Sequence, residues 1–167
     1  MGGEKRSDSV GIFVAEKCMD SVVSVERHRK RVLILKMVLD NGLLNVYSSC
    51  SSIRKTREET ESFLNGVFHL VSCILQKKMA VLAGDTNGHV GSSNVGNDGT
   101  HGGFGYGDRN ADGSRILRVC RWAKLSHLHT LFMKQESQMV THAAGSVKSM
   151  VDYIIVRQED KAKVRNV

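Results

Sequence analysis

The sequence predicts an α+β fold in a single domain spanning residues 1–167. Three observations lead there. Short apolar runs bounded by turn residues recur through the chain. One capped amphipathic helix interrupts them, and a buried run ends on Gly-Asp just before a long glycine-rich stretch. The 167 residues, 41% of them hydrophobic, suit one core and leave little room for two.

Taken in order, residues 10–16 (VGIFVAE) read as a short buried strand. Residues 21–25 and 31–39 read as two more, with the basic cluster ERHRKR (26–31) as the turn between them. Asp40-Asn41-Gly42 marks a hairpin, because Asn-Gly accepts the positive φ of a tight turn. It leads into LLNVY (43–47), so this half of the chain reads as an antiparallel meander. The period then changes. Thr56 and Glu59 form a capping-box pair, and Phe63, Leu64, Val67, Phe68, Val71, Ile74 and Leu75 share one helical face, which predicts a helix over 57–76. MAVLAG (79–84) is a buried strand, too short and continuous for a surface helix. A Gly-, Asn- and Asp-rich loop follows over 85–113, of a length that compact domains keep for function or leave disordered. Residues 114–125 show helical spacing, LHTLF (128–132) reads as a strand, and SMVDYIIVR (149–157) is a clear one. There is no internal repeat.

No apolar run approaches the ~20 residues of a membrane span, and the opening MGGEKRSDSV is too polar for a secretory signal. A cytoplasmic or nuclear protein is therefore expected, neither secreted nor held in a membrane. Cys18, Cys50, Cys73 and Cys120 are widely spread without a C-x-x-C pair, which argues against a zinc ribbon or a disulfide framework. His69 and Cys73 stand at helical i, i+4 spacing, but with no second ligand pair the expected reading is one residue in the core and one in solvent. The net charge of +7 tilts the partner toward a polyanion, since each neutralised phosphate releases a counterion. Proline is absent, where about 5% is usual.

The chemistry concentrates at strand ends. Asp85 and Asn87 follow directly on a buried strand, where a rigid scaffold holds polar groups toward a cleft. An aspartate there can orient or deprotonate a water, and an asparagine two positions on can donate to a phosphoryl oxygen. Alone, the pair is equally an ordinary turn. The glycines lack the G-K-[ST] ending of a nucleotide P-loop, and GGFGYGD (102–108) is a single calcium-type repeat with nothing to stack on. Asp152 is the one charged group in the apolar run MVDYIIV and needs a partner, because an isolated buried charge is costly. That partner is either a structural amide or Arg, or a catalytic histidine whose tautomer it fixes. None of the seven histidines carries a motif that commends it, and His142 lies nearest in sequence.

In register, VLAGDTNGHVG, NADGSRILRVCRWAKLSHLHTLF and VDYIIVR resemble the endonuclease/exonuclease/phosphatase superfamily. Within it, the likeness is to LINE-type retrotransposon endonuclease domains and the related craniofacial development protein 2-like sequences. The resemblance runs over nearly the whole chain. It implies a four-layer α/β sandwich of mostly antiparallel sheets flanked by helices, and Mg²⁺-dependent cleavage of phosphodiesters in DNA. It further implies that Asp85 positions or activates the attacking water, that Asn87 and the Tyr47 hydroxyl contact the scissile phosphate, and that Asp152 orients a catalytic histidine. DNA is the implied partner, with no small-molecule cofactor.

The sequence also departs from the family pattern. Nothing upstream of SDSVGIF supplies the family's asparagine and metal-binding glutamate, and Val167 comes before its C-terminal histidine motif. Tyr47 is followed by SSCSS where the family has Ala-Pro, which fits the missing proline. His129 stands where the family has asparagine, and His127 where it has an apolar residue. These departures lead to the expectation of a domain truncated at both ends, with no metal ligand of its own to assign and weak or lost cleavage. The alternative is a non-catalytic, basic nucleic-acid-binding or vestigial module. Open sheet edges would make such a domain marginally stable or prone to associate.

Overall fold

The computed structural model of the chain describes residues 10–28, 31–40, 42–50, 56–72 and 78–165. In chain order its strands are β1 (Val22–His28), β2 (Val32–Leu39), β3 (Gly42–Cys50), β4 (Met79–Asp85), β5 (Leu125–His127), β6 (His142–Ala144), β7 (Val147–Ser149) and β8 (Asp152–Arg157). The helices are α1 (Arg57–Ser72), α2 (Ala111–Trp122) and the single turn α3 (Glu136–Met139).

Six strands form one sheet in the order β1-β2-β3-β4-β8-β5, and β6-β7 form a separate two-stranded ribbon. Every pairing is antiparallel except β3 with β4. That parallel pair needs a crossover, which α1 supplies. The β2–β3 hairpin closes with Leu39 opposite Gly42, as Asp40-Asn41-Gly42 predicts; Asn41 itself lies outside the described residues.

Alternation along the strands sorts the sheet into two faces. Ile34, Tyr47, Leu82 and Ile155 stand in one register row and are buried with Leu64 of α1 and Ile116, Leu117 and Cys120 of α2. This is the core. The opposite face carries the row Leu35, Val46, Val81 and Val156 and, two positions further along β4 at each step, Ala83 and Asp85. Helices thus cover one side of a mostly antiparallel sheet, giving an α/β sandwich as expected.

The predicted capping box of α1 is present. The Thr56 amide donates to Glu59 Oε2 at 3.3 Å, and the Glu59 amide donates to Thr56 Oγ1 at 3.3 Å. Of its predicted apolar face, Phe63 and Leu64 are seen packed. The side chains of Val67, Phe68 and Val71, and Cys73, Ile74 and Leu75 altogether, lie outside the described residues.

Four predicted elements differ. Residues 10–15 are extended but join no ladder, and Glu16–Ser21 form a 3-10 helix rather than the end of a strand. The apolar alternation is real, with Val10, Ile12 and Val14 half-buried and their neighbours exposed, but the segment pairs with no described strand. The helix predicted to run to 125 stops at Trp122, because Lys124 takes a left-handed φ of 54° and turns the chain. Residues 125–127 then pair with β8, and the expected strand at 128–132 opens instead as a 3-10 turn over Leu128–Thr130, in which Thr130 Oγ1 donates to His127 O at 2.8 Å. Finally, the run 149–157 is divided. Ser149 ends β7 and β8 begins only at Asp152.

Candidate active site

The end of β4 is shaped by close backbone approach. A Cβ at Gly84 would lie 1.8 Å from Ser49 O, and its φ of 152° disfavours other residues, so the Gly-Asp order is a steric demand of the β3–β4 pairing. Asp85 follows, directly opposite Asp152 in the β4–β8 register. Directly opposed side chains place their Cβ atoms roughly 4.5–5.5 Å apart. Two carboxylates distant in sequence therefore share one spot, on the face of the sheet away from α1 and α2.

The chain turns sharply at once. The Asn87 amide donates to Asp85 Oδ1 at 2.7 Å, and Asn87 adopts the left-handed conformation, φ 51°, which asparagine tolerates better than most residues. Thr86 ties the same point to the neighbouring strand, since its amide and its hydroxyl both donate to Val151 O, at 3.0 and 3.2 Å. Beyond it, Tyr153 braces the loop. Its hydroxyl lies 2.6 Å from Met150 O and 3.0 Å from Gly88 O and accepts from the Val90 amide at 3.3 Å. Burial, chiefly, pushes that phenol up to about 12, so it stays protonated.

The electrostatics favour a basic carboxylate. Burial raises the Asp85 carboxyl above its ordinary value; the bond from the Asn87 amide opposes this, and the charge of Asp152 adds to the rise. His142, the first residue of β6, acts on Asp85 in the lowering direction, so its ring stands within electrostatic reach. His129 lies near Asp152 on the other side. Its Nδ1 accepts from the Ile154 amide at 3.2 Å, which leaves any ring proton on Nε2. Burial, with Lys134 second, lowers its pKa, while Asp152 opposes. The tautomer of His129 is thus fixed by the backbone of β8.

Of the residues singled out in the sequence, the fold brings Asp85, Asn87 and Asp152 together and does not bring Tyr47 to them. The Tyr47 ring is 5% exposed and packs in the helix-covered core, in register with Leu82, three residues before Asp85 and hence on the opposite face. His129 and His142, which no sequence motif marks, are the additions. Among the described residues no group of three or more His, Cys, Asp or Glu side chains comes together to hold a metal. Mg²⁺ is often held by one or two carboxylates completed by waters and substrate phosphates, so the aspartate pair alone is a partial donor set.

Solved structures match this fold. A D. rerio TDP2 humanized by 14 mutations aligns over 82% of this chain and 51% of its own, with a TM-score of 0.57 and 17% identity. D. rerio TDP2 complexed with a single-strand DNA product covers 82% and 53%, at TM-score 0.54 and 16% identity. The endonuclease domain of TRAS1, a telomere-specific non-LTR retrotransposon, covers 81% and 56%, at TM-score 0.54 and 15% identity. This chain has the endonuclease/exonuclease/phosphatase fold. It spans about half the length of the structures it matches. No protein-family model matches the sequence, and no curated protein sequence does. In this fold the Asp85–Asp152 corner is the end of the interior β4–β8 pair, where both strands hand over to loops.

Proposed function

We propose that the chain is a DNA-directed phosphodiesterase-type domain that grips a backbone phosphate at the Asp85–Asn87–Asp152 corner and cleaves slowly. The observation that carries this reading is the register that sets Asp85 opposite Asp152 with the Asn87 amide bound to Asp85. In this reading Asp85 accepts a proton from a water whose oxygen attacks phosphorus while the P–O bond to one sugar oxygen breaks, and that leaving oxygen takes its proton from solvent. Its carboxyl, raised by burial, is a better base than an exposed aspartate. Asn87 supplies hydrogen bonding to the phosphate oxygens as their charge grows. Asp152 keeps Asp85 basic by its charge. Magnesium, if bound, would neutralise phosphate charge. The two-carboxylate donor set does not itself make a metal site, so no step is assigned to the ion. The net charge of +7 favours a nucleic-acid partner.

Supercoiled plasmid with Mg²⁺ tests the proposal directly. The expected result is slow conversion to nicked circles, stopped by EDTA and lost in Asp85→Ala and in Asn87→Ala. A second reading, a basic binding module without catalysis, is favoured by the lack of a third metal-binding group among the described residues. Salt-sensitive DNA binding with no nicking would select it. A chain that fails to bind DNA even at low salt would exclude both.

A further inference from the structure

We infer that His142 is a contact for the bound phosphate, held beside Asp85 by the base of the β6–β7 hairpin. The inference rests on the phosphate-site reading above and adds to it a residue which that reading does not use.

The geometry begins at Thr141. Its hydroxyl oxygen accepts from two successive amides, Val151 at 3.1 Å and Asp152 at 3.2 Å, and its own amide donates to Ser149 O at 3.0 Å. The base of the hairpin is thereby pinned to the first residue of β8. Thr86 is pinned to the same stretch from the other side, through Val151 O. Residues 85–87, 141–142 and 151–152 are thus laced together by five hydrogen bonds that converge on 151 and 152 or close the hairpin.

His142 follows immediately, opposite Ser149, and its side chain is exposed rather than packed. An exposed imidazole whose backbone is fixed at a carboxylate pair is available to a ligand without disturbing a core. The charge of His142 is also felt at Asp85, in agreement with the backbone placement. Lys148 of the same ribbon is already paired with Glu136 at 3.2 Å. An imidazole offers an N–H donor to a phosphoryl oxygen. Asn87 and His142 would then hold one phosphate from two sides of Asp85.

The test is the affinity of the full chain for a fluorescein-labelled single-stranded DNA oligonucleotide at low salt, by anisotropy. Four proteins are compared: wild type, His142→Ala, His142→Gln and Arg118→Ala, the last removing an exposed cation on α2. The expected result is a loss of about threefold to tenfold for His142→Ala, tenfold being ~1.4 kcal/mol. His142→Gln recovers part of it, and Arg118→Ala loses less. Wild-type binding with His142→Ala no weaker than Arg118→Ala overturns the role of His142 and leaves the phosphate-site reading standing. Equal losses in the Ala and Gln variants would mark a bare charge effect and also overturn the contact. Failure of the wild type to bind sinks the underlying reading, and the inference with it.

Discussion

Two segments of this chain lack regular strands or long helices, and they are held in opposite ways. The glycine-rich loop over 86–110 buries Val90, Thr100 and His101 and is tied at many points. His101 bridges Gly91 O and the Gly103 amide, and Arg109 Nε donates to Val90 O. Asn110 accepts from the His89 amide while capping α2 through the Gly113 amide. Among the described residues, the segment 10–21 is met by long side-chain bonds at 3.4 Å, from Arg27 to Val10 O and from Ser48 to Gly11 O, besides its own turns. Its 3-10 helix buries no residue, and Phe13 and Met19 face solvent. Absence of secondary structure therefore says nothing about order. What orders the loop is the satisfaction of its buried polar groups and the tight fit of its backbone.

The sharpest way to break the contrast is Gly113→Ala. A Cβ there would sit 1.7 Å from His89 O, backbone against backbone, with no flexible side chain to yield. The first turn of α2 and the loop could not both keep their places. The expected cost is at least ~3 kcal/mol, the upper end of overpacking, read as a fall in urea midpoint. A loss under 1 kcal/mol would show that the loop is loosely docked after all.

Acid is the next largest lever. Burial lowers the pKa of His101 despite its bond to Gly91 O, with Arg109 adding to the fall. Burial also brings His127 to about 3, aided by His101 and His129. Both are depressed in the folded state, so above pH 6.5 they are neutral either way and cost nothing. As pH falls from 6.5 toward 3, the unfolded chain takes up protons that the folded chain refuses, and stability is lost. Each such histidine contributes up to about 1.4 kcal/mol per pH unit. Urea midpoints should drop steeply between pH 6 and 4, with hydrogen exchange rising in 88–103 while 10–21 exchanges fast throughout. A flat profile would mean these imidazoles are not buried neutral.

How much of this was legible in the sequence follows from range. Local chemistry was. The Thr56–Glu59 capping box, the Asp40–Gly42 hairpin and the buried run ending at Asp85 each depend on a few adjacent residues, and each appears in the fold. The pairing of Asp85 with Asp152 was legible only through family likeness, since β8 enters the sheet between β4 and β5 and no local signal announces that order. Tyr47 shows the limit. The family resemblance implies that its hydroxyl reaches the scissile phosphate, but strand alternation sends its ring to the helix-covered face. His129 and His142 were noted in the sequence without a role, because their neighbours are supplied by β8 and its flanks, distant in sequence. Residues 125–132 were misread because three-residue strands and 3-10 turns leave too short a pattern to fix a period.

Between the two segments in size of effect stand two changes at the corner. Tyr153→Phe removes the hydroxyl that meets Met150 O, Gly88 O and the Val90 amide. It should cost about 1–3 kcal/mol, the penalty for leaving buried groups unpaired, and speed exchange at Val90. Asp85→Asn should act with the opposite sign. Because burial and Asp152 raise the Asp85 carboxyl, its ionised form is the strained one, and the cost is present above its folded pKa and relieved below the unfolded value. Removing a like charge directly opposite another gains up to about 1 kcal/mol at pH 7. The gain should vanish near pH 3. A variant destabilised at pH 7 would mean that Asp85 is structural, and would weaken its place in the phosphate site.

The smallest effect belongs to the loosely held segment. The Phe13 ring is fully exposed, at 106%, so its replacement removes no buried surface. Phe13→Ser should leave the urea midpoint within ~0.5 kcal/mol of wild type, as surface changes do. The large aromatic buys no folding energy where it stands, in contrast to Val90 at 1% exposure in the loop, where even a change to alanine opens a cavity. If Phe13→Ser cost more than 1 kcal/mol, the ring would have to be packed against the sheet in solution. The two irregular segments would then differ in degree, and buried polar bonding would lose its claim to be what separates them.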